Sequence, residues 1–239
     1  MAKLRVLAVP VAFNEEKKIG SVLGRFAGIE GVEVLLLDDA STDGTAAVAA
    51  KMGVAVLSQP KRGGVGAAIR RAVRHCQERG FDVLVVLAGN DKDRPAEIPR
   101  LTGPIANGDF DFVQGSRYLR GGSFGNMPLY RQLSTRFLHP FLFSIAAGKK
   151  ITDSTNGFRA IRISCFDDKR IDIDQEWLDH YELEPYLFFK FIQLGYRVKE
   201  VPVTKIYPPK DLGYTKMAPF TGWWSILRPI FLLGLGLKK

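Results

Sequence analysis

The chain has 239 residues, of which 46% are hydrophobic, so it can bury a full core, and we expect one α/β domain spanning residues 1–239. Its net charge of +9 favours an anionic partner, but charge alone does not choose between nucleic acid, an anionic membrane surface and a phosphorylated small molecule. Two cysteines and three histidines without metal-ligand spacing indicate neither a disulfide framework nor a zinc site, and they fit a reducing, cytoplasmic compartment.

Strands and helices alternate through the first 106 residues. Apolar runs that predict strands lie at 6–13, 32–38, 54–57 and 81–87. Segments with apolar residues at helical spacing lie at 19–26, 46–51, 65–79 and 98–105. This alternation predicts an α/β fold with an open, mostly parallel, twisted sheet of the Rossmann-like kind and helices on both faces.

Beyond residue 106 the pattern loosens. Strands are predicted at 110–114, 157–163 and 198–203, helices at 131–147 and 185–194, and a glycine-rich loop at 115–126. The helix over 131–147 is expected to break or bend at Pro140. The segment WWSILRPIFLLGLGL at 223–237 is too short to cross a membrane. It fits either a segment lying in the membrane interface or a terminal helix folded back on the core.

Two adjacent carboxylates end the second predicted strand, in the segment VEVLLLDDASTDGT. Asp38 and Asp39 would lie at the carboxyl end of a buried parallel strand, where open α/β sheets bind ligands. They are therefore placed to hold a ribose, a base edge or a metal. Asp43 instead suits the cap of the helix that follows.

A second acidic loop, LAGNDKDRP, follows the fourth predicted strand and places Asp91 and Asp93 at the same edge. Carboxylates separated by one residue can both turn to a divalent cation, although Asp93 also suits a helix N-cap. The loop KRGGVGAAIR brings Gly64 to the start of a helix, where phosphate binding and a tight turn with close packing are both possible.

These motifs occur in one order with VPVAFNEE, QGSRY, DSTNGFRAI, LGYRVKEVPV and the C-terminal tail. As a set they resemble family 2 glycosyltransferases of GT-A fold, close to the enzymes that transfer mannose or glucose to dolichyl or polyprenyl phosphate. The resemblance implies inverting, metal-dependent transfer of a hexose from a GDP- or UDP-sugar to a lipid phosphate. A non-lipid hydroxyl acceptor and a non-catalytic nucleotide-sugar-binding module stay open as alternatives. Nucleic-acid binding is not expected, because the basic residues are spread over several helices.

The resemblance also implies roles for particular residues. The family's Asp-Ala-Asp loop binds Mg or Mn, and it corresponds here to Gly89, Asn90 and Asp91, so the first aspartate is missing and Asp93 is the candidate to compensate. The candidate catalytic residues are Asp91, Arg117, Arg131 and Asp153, the candidate nucleotide-sugar ligands are Glu15, Asp38, Asp39, Gly64 and Lys216, and the candidate metal ligands are Asp91 and Asp93. Among these, the basic side chains would hold phosphates, and Asp153 would orient the acceptor or an arginine.

The expected organisation is a nucleotide-sugar half over 1–106, an acceptor half over 107–222 and an interfacial segment over 223–239. The stretch 137–147, flanked by basic residues, fits an interfacial helix or ordinary core packing. A lipid acceptor would bring the protein to the cytoplasmic face of the membrane as a peripheral protein.

Overall fold

The computed structural model describes residues 4–212 and 221–238. Within them the strands are β1 (Val6–Ala12), β2 (Val32–Asp38), β3 (Ala55–Ser58), β4 (Val83–Ala88), β5 (Phe112–Ser116), β6 (Ser123–Gly125), β7 (Arg159–Arg162), β8 (Val198–Pro202) and β9 (Thr204–Ile206). The helices are α1 (Glu16–Gly24), α2 (Thr45–Lys51), α3 (Val65–Arg79), α4 (Ile98–Ala106), α5 (Leu129–Leu133), α6 (His139–Ala147), α7 (Leu183–Gln193) and α8 (Thr221–Gly234).

Seven strands form one sheet in the order β3-β2-β1-β4-β7-β5-β8. All neighbours pair in parallel except β7, which runs antiparallel to both β4 and β5. Successive residues of β2 face opposite sides: Leu35 and Leu37 join the core beneath α3 and α7, whereas Leu36 joins the core beneath α1 and α2. The predicted α/β sheet with helices on both faces is confirmed. The antiparallel direction of β7 was not predicted, because a run of apolar residues does not show in which direction its strand runs.

The glycine-rich segment 115–126, predicted as loop, contains β6. This strand pairs in parallel with β9 in a separate two-stranded sheet. The prediction missed it because three residues ending in glycine show no measurable alternation.

The helix predicted over 131–147 is one helical stretch from 129 to 147 with a π-helical turn, Ser134–Leu138, between α5 and α6. The irregular turn lies just before Pro140, as the sequence predicted. Proline has no N–H to continue the α-helical hydrogen-bond pattern, and its ring crowds the preceding turn. The wider π-helical turn before Pro140 accommodates both the missing donor and the bulk of the ring.

Helix α8 folds back onto α6 and α7. Ile230 and Leu233 are buried there, and the Arg228 guanidinium donates to Glu182 Oε1 at 2.8 Å. The opposite side of α8 exposes Trp224 and Phe231 to solvent. The helix therefore packs on the core and still presents an apolar face. No helix within residues 4–212 and 221–238 has the length and hydropathy needed to cross a bilayer.

Candidate active site

A cavity of about 620 Å³ lies at the edge of the sheet where the parallel strands end. Its walls come from the carboxyl ends of β1, β2, β4 and β5 and from the segment that enters β7. Because the sheet order is fixed, these walls follow one another across the cavity. We call the part near β1 and β2 the β2 end, the part near β4 the centre, and the part near β5, α5 and α8 the β5 end.

At the β2 end, the Asp39 carboxylate holds the glycine-rich loop that follows β3. It accepts hydrogen bonds from Gln59 Nε2 at 2.6 Å, Gly63 N at 2.8 Å and Gly64 N at 3.0 Å. Gly64 has a φ of +91°, and a Cβ there would overlap the His180 ring, so this position requires glycine. Asp39 and Gly64 both line the cavity.

Another segment of the same polypeptide packs directly against the N-terminus of α3. A Cβ at Gly66 would overlap the carbonyl oxygen of Leu178, and Ala67 N donates to Asp179 O at 3.0 Å. Of the two interpretations of the glycine-rich loop, close packing therefore accounts for Gly66.

Glu15 and Asp38 have different surroundings, although both were predicted to bind the nucleotide sugar. Glu15 lines the cavity and forms a 2.5 Å ion pair with Lys18. Asp38 is buried outside the cavity wall, and its carboxylate accepts the Ser41 N–H at 3.2 Å. The structure thus gives Asp38 a hydrogen bond within the turn after β2, a role that the sequence analysis did not predict for it.

The loop after β4 turns alternate residues toward and away from the cavity. Ala88, Asn90 and Lys92 line the cavity. Gly89 lies against β1, where a Cβ would come within 2.8 Å of Ala12 Cβ. There is no room for an aspartate at position 89, so the close packing of this loop on β1 explains the missing first acid of the family motif.

The two acids of this loop face away from the cavity. Asp91 has a φ of +63°, and its carboxylate accepts a 3.1 Å hydrogen bond from Ser21 on α1 and pairs with Arg25, the residue that follows this helix. Asp93 is buried, accepts a 3.0 Å hydrogen bond from a backbone N–H of β4 and pairs with Lys205 at 2.6 Å. Asp93 makes no side-chain cap to the following helix. The predicted convergence of Asp91 and Asp93 on one cation is not what the structure shows.

The side chains at the centre do not fit a divalent cation. Mg²⁺ and Mn²⁺ prefer carboxylate oxygens, but an amide, Asn90, and two ammonium groups, Lys92 and Lys205, face the cavity here. The described residues contain no cluster of three or more His, Cys, Asp or Glu side chains able to hold a metal. Residues 1–3, 213–220 and 239 contain none of these residue types, so they cannot complete one. In this structure the carboxylates of Asp91 and Asp93 are engaged by Arg25 and Lys205, and their role as metal ligands stays a prediction.

Lys92 brings a buried amine to the centre. Its side chain is 6% exposed, and its ammonium lies 4.2 Å from the centroid of the Tyr207 ring. Burial, together with the charges of Lys205 and Arg131, lowers the pKa of Lys92 to about 7. The neighbouring Asp93 is taken by Lys205, and no carboxylate in the described part of the chain forms an ion pair with Lys92.

At the β5 end, Arg117 and Asp153 form a buried ion pair. Arg117 Nε and Nη2 donate to the two carboxylate oxygens at 2.7 Å each, and the Arg117 backbone N–H donates at 3.0 Å. Burial opposes the charge, but Asp153 raises the pKa of Arg117 and keeps it protonated. Arg117 lines the cavity, so of the two roles predicted for Asp153, orienting an arginine is the one that these contacts support.

Arg131, on α5, also lines the β5 end. Its guanidinium donates to the Tyr207 hydroxyl at 3.3 Å, and its carbonyl accepts from Thr135 Oγ1 at 2.7 Å. Thr135 belongs to the π-helical turn, a feature often found at functional sites. Lys216 lies outside the described residues.

Several cavity residues were not singled out by the sequence analysis. They are Lys18, Lys92, His180, Glu184, Lys205 and Tyr207. The sequence of LAGNDKDRP could not have indicated Lys92, because the left-handed backbone at Asp91 interrupts the alternation of an extended segment. Lys205 and Tyr207 have no local signal either, because they reach the cavity through the long-range pairing of β9 with β6.

The fold is that of GT-A glycosyltransferases. A crystal structure of glucosyl-3-phosphoglycerate synthase from Mycobacterium tuberculosis, with Mn²⁺, uridine diphosphate and glucosyl-3-phosphoglycerate, covers 99% of this chain. This chain covers 81% of that one, and the two superpose with a TM-score of 0.70 at 20% identity.

The family model described as glycosyl transferase family 2 matches residues 8–169, and the chain belongs to this family of glycosyltransferases. It is 33% identical to an undecaprenyl-phosphate mannosyltransferase of Micrococcus luteus, over 90% of this chain and 88% of the relative. It is 30% identical to polyprenol monophosphomannose synthase of Mycolicibacterium smegmatis, over 90% and 81% of the two chains. A dolichyl-phosphate hexose transferase of Haloferax volcanii is 32% identical over 91% and 89%.

Proposed function

We propose that the protein transfers a hexose from a GDP- or UDP-sugar to a polyprenyl phosphate, with inversion at the anomeric carbon, while bound to the surface of a membrane. The observation that carries this proposal is a cavity lined with cationic side chains directly beside an exposed apolar surface. The names of the relatives, which act on undecaprenyl, polyprenol and dolichyl phosphates, support the same class of acceptor.

The order of the cavity walls suggests where each substrate binds. The nucleoside lies at the β2 end, where Glu15, Asp39 and Gly64 form the wall. The acceptor phosphate lies at the β5 end, where Arg117 and Arg131 provide fixed guanidinium groups. The diphosphate and the sugar then span the centre.

The chemistry needs little from the protein beyond positioning and charge. The acceptor phosphate oxygen is already anionic near neutral pH, so it attacks the anomeric carbon without a general base. As the new C–O bond forms, the bond between the anomeric carbon and the β-phosphate oxygen breaks, and the electron pair leaves with the nucleoside diphosphate. A single displacement of this kind inverts the anomeric centre. Cationic groups around the cavity stabilise the charge that develops on the leaving group.

An apolar strip next to the cavity is suited to a lipid surface. Of the twelve exposed large hydrophobic residues in the described part of the chain, all but Met52 lie on α5, the π-helical turn, α6 and the α8 segment. The apolar strip consists of Leu129, Tyr130, Leu133, Phe137, Leu138, Phe141, Ile145, Trp224, Phe231, Leu235 and Leu237. The two helical segments meet, with the rings of Tyr130 and Trp223 6.5 Å apart. A patch of this size on one side of a protein indicates an interaction surface.

The test is an assay with purified protein, radiolabelled GDP- and UDP-hexoses and vesicles containing polyprenyl phosphate. We expect label in the lipid extract with at least one donor, and a product of opposite anomeric configuration to the donor by NMR. Vesicles with polyprenol instead of its phosphate are the control and should give no label. Label transferred only to soluble hydroxyl acceptors would favour the hydroxyl alternative. Nucleotide-sugar binding without any transfer would favour the binding module.

A further inference from the structure

Two lysines and an amide side chain face the centre of the cavity. Asn90 and Lys92 face it from the loop after β4, and Lys205 faces it from β9. The acids nearest to them in sequence pair with Arg25 and Lys205. The side chains named here, at the position where a diphosphate would lie, are therefore an amide and two lysines, of which Lys205 is paired with Asp93.

Lys92 has the features of a binding group. Its ammonium is buried, lines the cavity and lies over the aromatic ring of Tyr207. An ammonium removed from water without a carboxylate is costly to the folded state. A bound anion offsets that cost. The neighbouring Asn90 Oδ1 atom is also buried and has no hydrogen-bond partner in the described structure. Because it is an acceptor, it suits a hydroxyl of the donor sugar and not a phosphate oxygen.

The position of Lys92 is also central in the proposed substrate arrangement. It follows β4, which lies between β1 and β7 in the sheet, so it sits between the nucleoside at the β2 end and the acceptor phosphate at the β5 end. A donor that spans the cavity places its diphosphate there.

We infer that Lys92, assisted by Lys205, takes the place of a divalent cation, and that the protein binds and releases the nucleoside diphosphate without a metal. This inference rests on the proposed use of a nucleoside-diphosphate donor. In the transfer step the ammonium of Lys92 donates hydrogen bonds to the phosphate oxygens and stabilises the negative charge left when the bond to the anomeric carbon breaks.

Calorimetric titration of UDP and GDP into the purified protein tests the inference directly. The wild type is expected to bind one of them with the same affinity, within about twofold, in excess EDTA and in millimolar MnCl₂. Lys92→Met should weaken binding of that diphosphate by about 10- to 100-fold, the range typical of a hydrogen bond to a charged group. The affinity for the corresponding nucleoside, which has no phosphates, should fall far less in Lys92→Met, because the contacts of the nucleoside lie at the β2 end.

Matched variants separate a local role from a change in net charge or folding. Lys199→Met removes one exposed lysine remote from the cavity and should bind as the wild type does. Lys92→Arg keeps a cation and should recover part of the lost affinity. Thermal melts report folding; if Lys92→Met does not fold, Lys92→Gln replaces it, and the comparison of EDTA with MnCl₂ on the wild type stands by itself.

Two results would overturn the inference: a requirement for MnCl₂ in diphosphate binding, or unchanged diphosphate affinity in a folded Lys92→Met protein. The proposed function fails differently. Lipid transfer that stops in EDTA would keep the function and refute the role of Lys92. Metal-independent diphosphate binding without lipid transfer would keep that role and refute the function.

Discussion

Replacing two phenylalanines of the apolar strip should detach the protein from membranes without altering its cavity. Phe137 and Phe141 are 57% and 63% exposed and lie on the side of the helical stretch 129–147 that faces away from the core. Neither side chain lines the cavity. The double variant Phe137→Ser and Phe141→Ser therefore removes apolar surface that the fold itself does not bury.

The size of the effect follows from the exposed fractions. Burying a whole phenylalanine side chain contributes about 1.5–3 kcal/mol, and roughly 60% of each ring remains to be buried. If both rings insert, the pair contributes about 2–4 kcal/mol, and the partition coefficient should fall by about 30- to 1000-fold in the double variant.

The assay is co-sedimentation with vesicles of phosphatidylcholine and an anionic lipid, with free and bound protein measured over a range of lipid concentrations. Met52→Ser is the matched control, because Met52 is an exposed apolar residue on the C-terminal side of α2, outside the apolar strip. We expect the control to bind as the wild type does. Equal binding by the wild type and the double variant would refute the membrane role of the apolar strip.

Three further predictions concern single residues. Asp91→Asn should leave diphosphate binding and transfer within about threefold of wild type and cost about 0.5–1 kcal/mol in urea unfolding, because it weakens only a partly exposed pair with Arg25; loss of transfer in this variant would restore the metal-ligand role. Asp153→Asn should cost about 3–5 kcal/mol of unfolding free energy, since it leaves the buried Arg117 charge uncompensated. The control Asp174→Asn, which breaks an exposed pair with Arg74, should cost less than about 1 kcal/mol, and equal costs would contradict the argument. His139 is buried between Ser154 and the Ile226 carbonyl, and burial lowers its pKa from 6.5 to about 4. The unfolded chain therefore takes up a proton below about pH 6.5 that the folded protein takes up only near pH 4, so stability should fall by about 3 kcal/mol across that interval. Urea midpoints at pH 7 and pH 4 measure the fall, and His139→Gln should lack this part of it.

The sequence predicted the parts of the fold that are encoded by local periodicity. The first four strands and the helices between them follow from apolar runs and helical spacing, and the structure places them where the pattern predicts. The reversed direction of β7 and the pairing of β6 with β9 depend on which segments meet in space. A four-residue strand and a three-residue strand have no periodicity that could show this.

The sequence indicated at which edge of the sheet the cavity lies, but not which side chains face it. The carboxyl ends of β2 and β4 do form one cavity wall, with Asp39 from one and Asn90 and Lys92 from the other. Which residues of the second loop face inward could not be derived, because it depends on the close packing of Gly89 against Ala12 and on the left-handed backbone at Asp91. A resemblance to a metal-binding motif identifies which residues occupy the corresponding positions of the sequence, but it does not determine the direction in which their side chains point.

The most direct test of the account is a crystal structure of the protein with the nucleoside diphosphate that it binds, grown in the presence of EDTA. We expect the diphosphate at the centre of the cavity with its oxygens within hydrogen-bonding distance of Lys92 Nζ, and the nucleoside at the β2 end beside Asp39. A nucleotide bound elsewhere, or a diphosphate held through a metal ion by Asp91 and Asp93 in crystals grown with MnCl₂ instead, would contradict it.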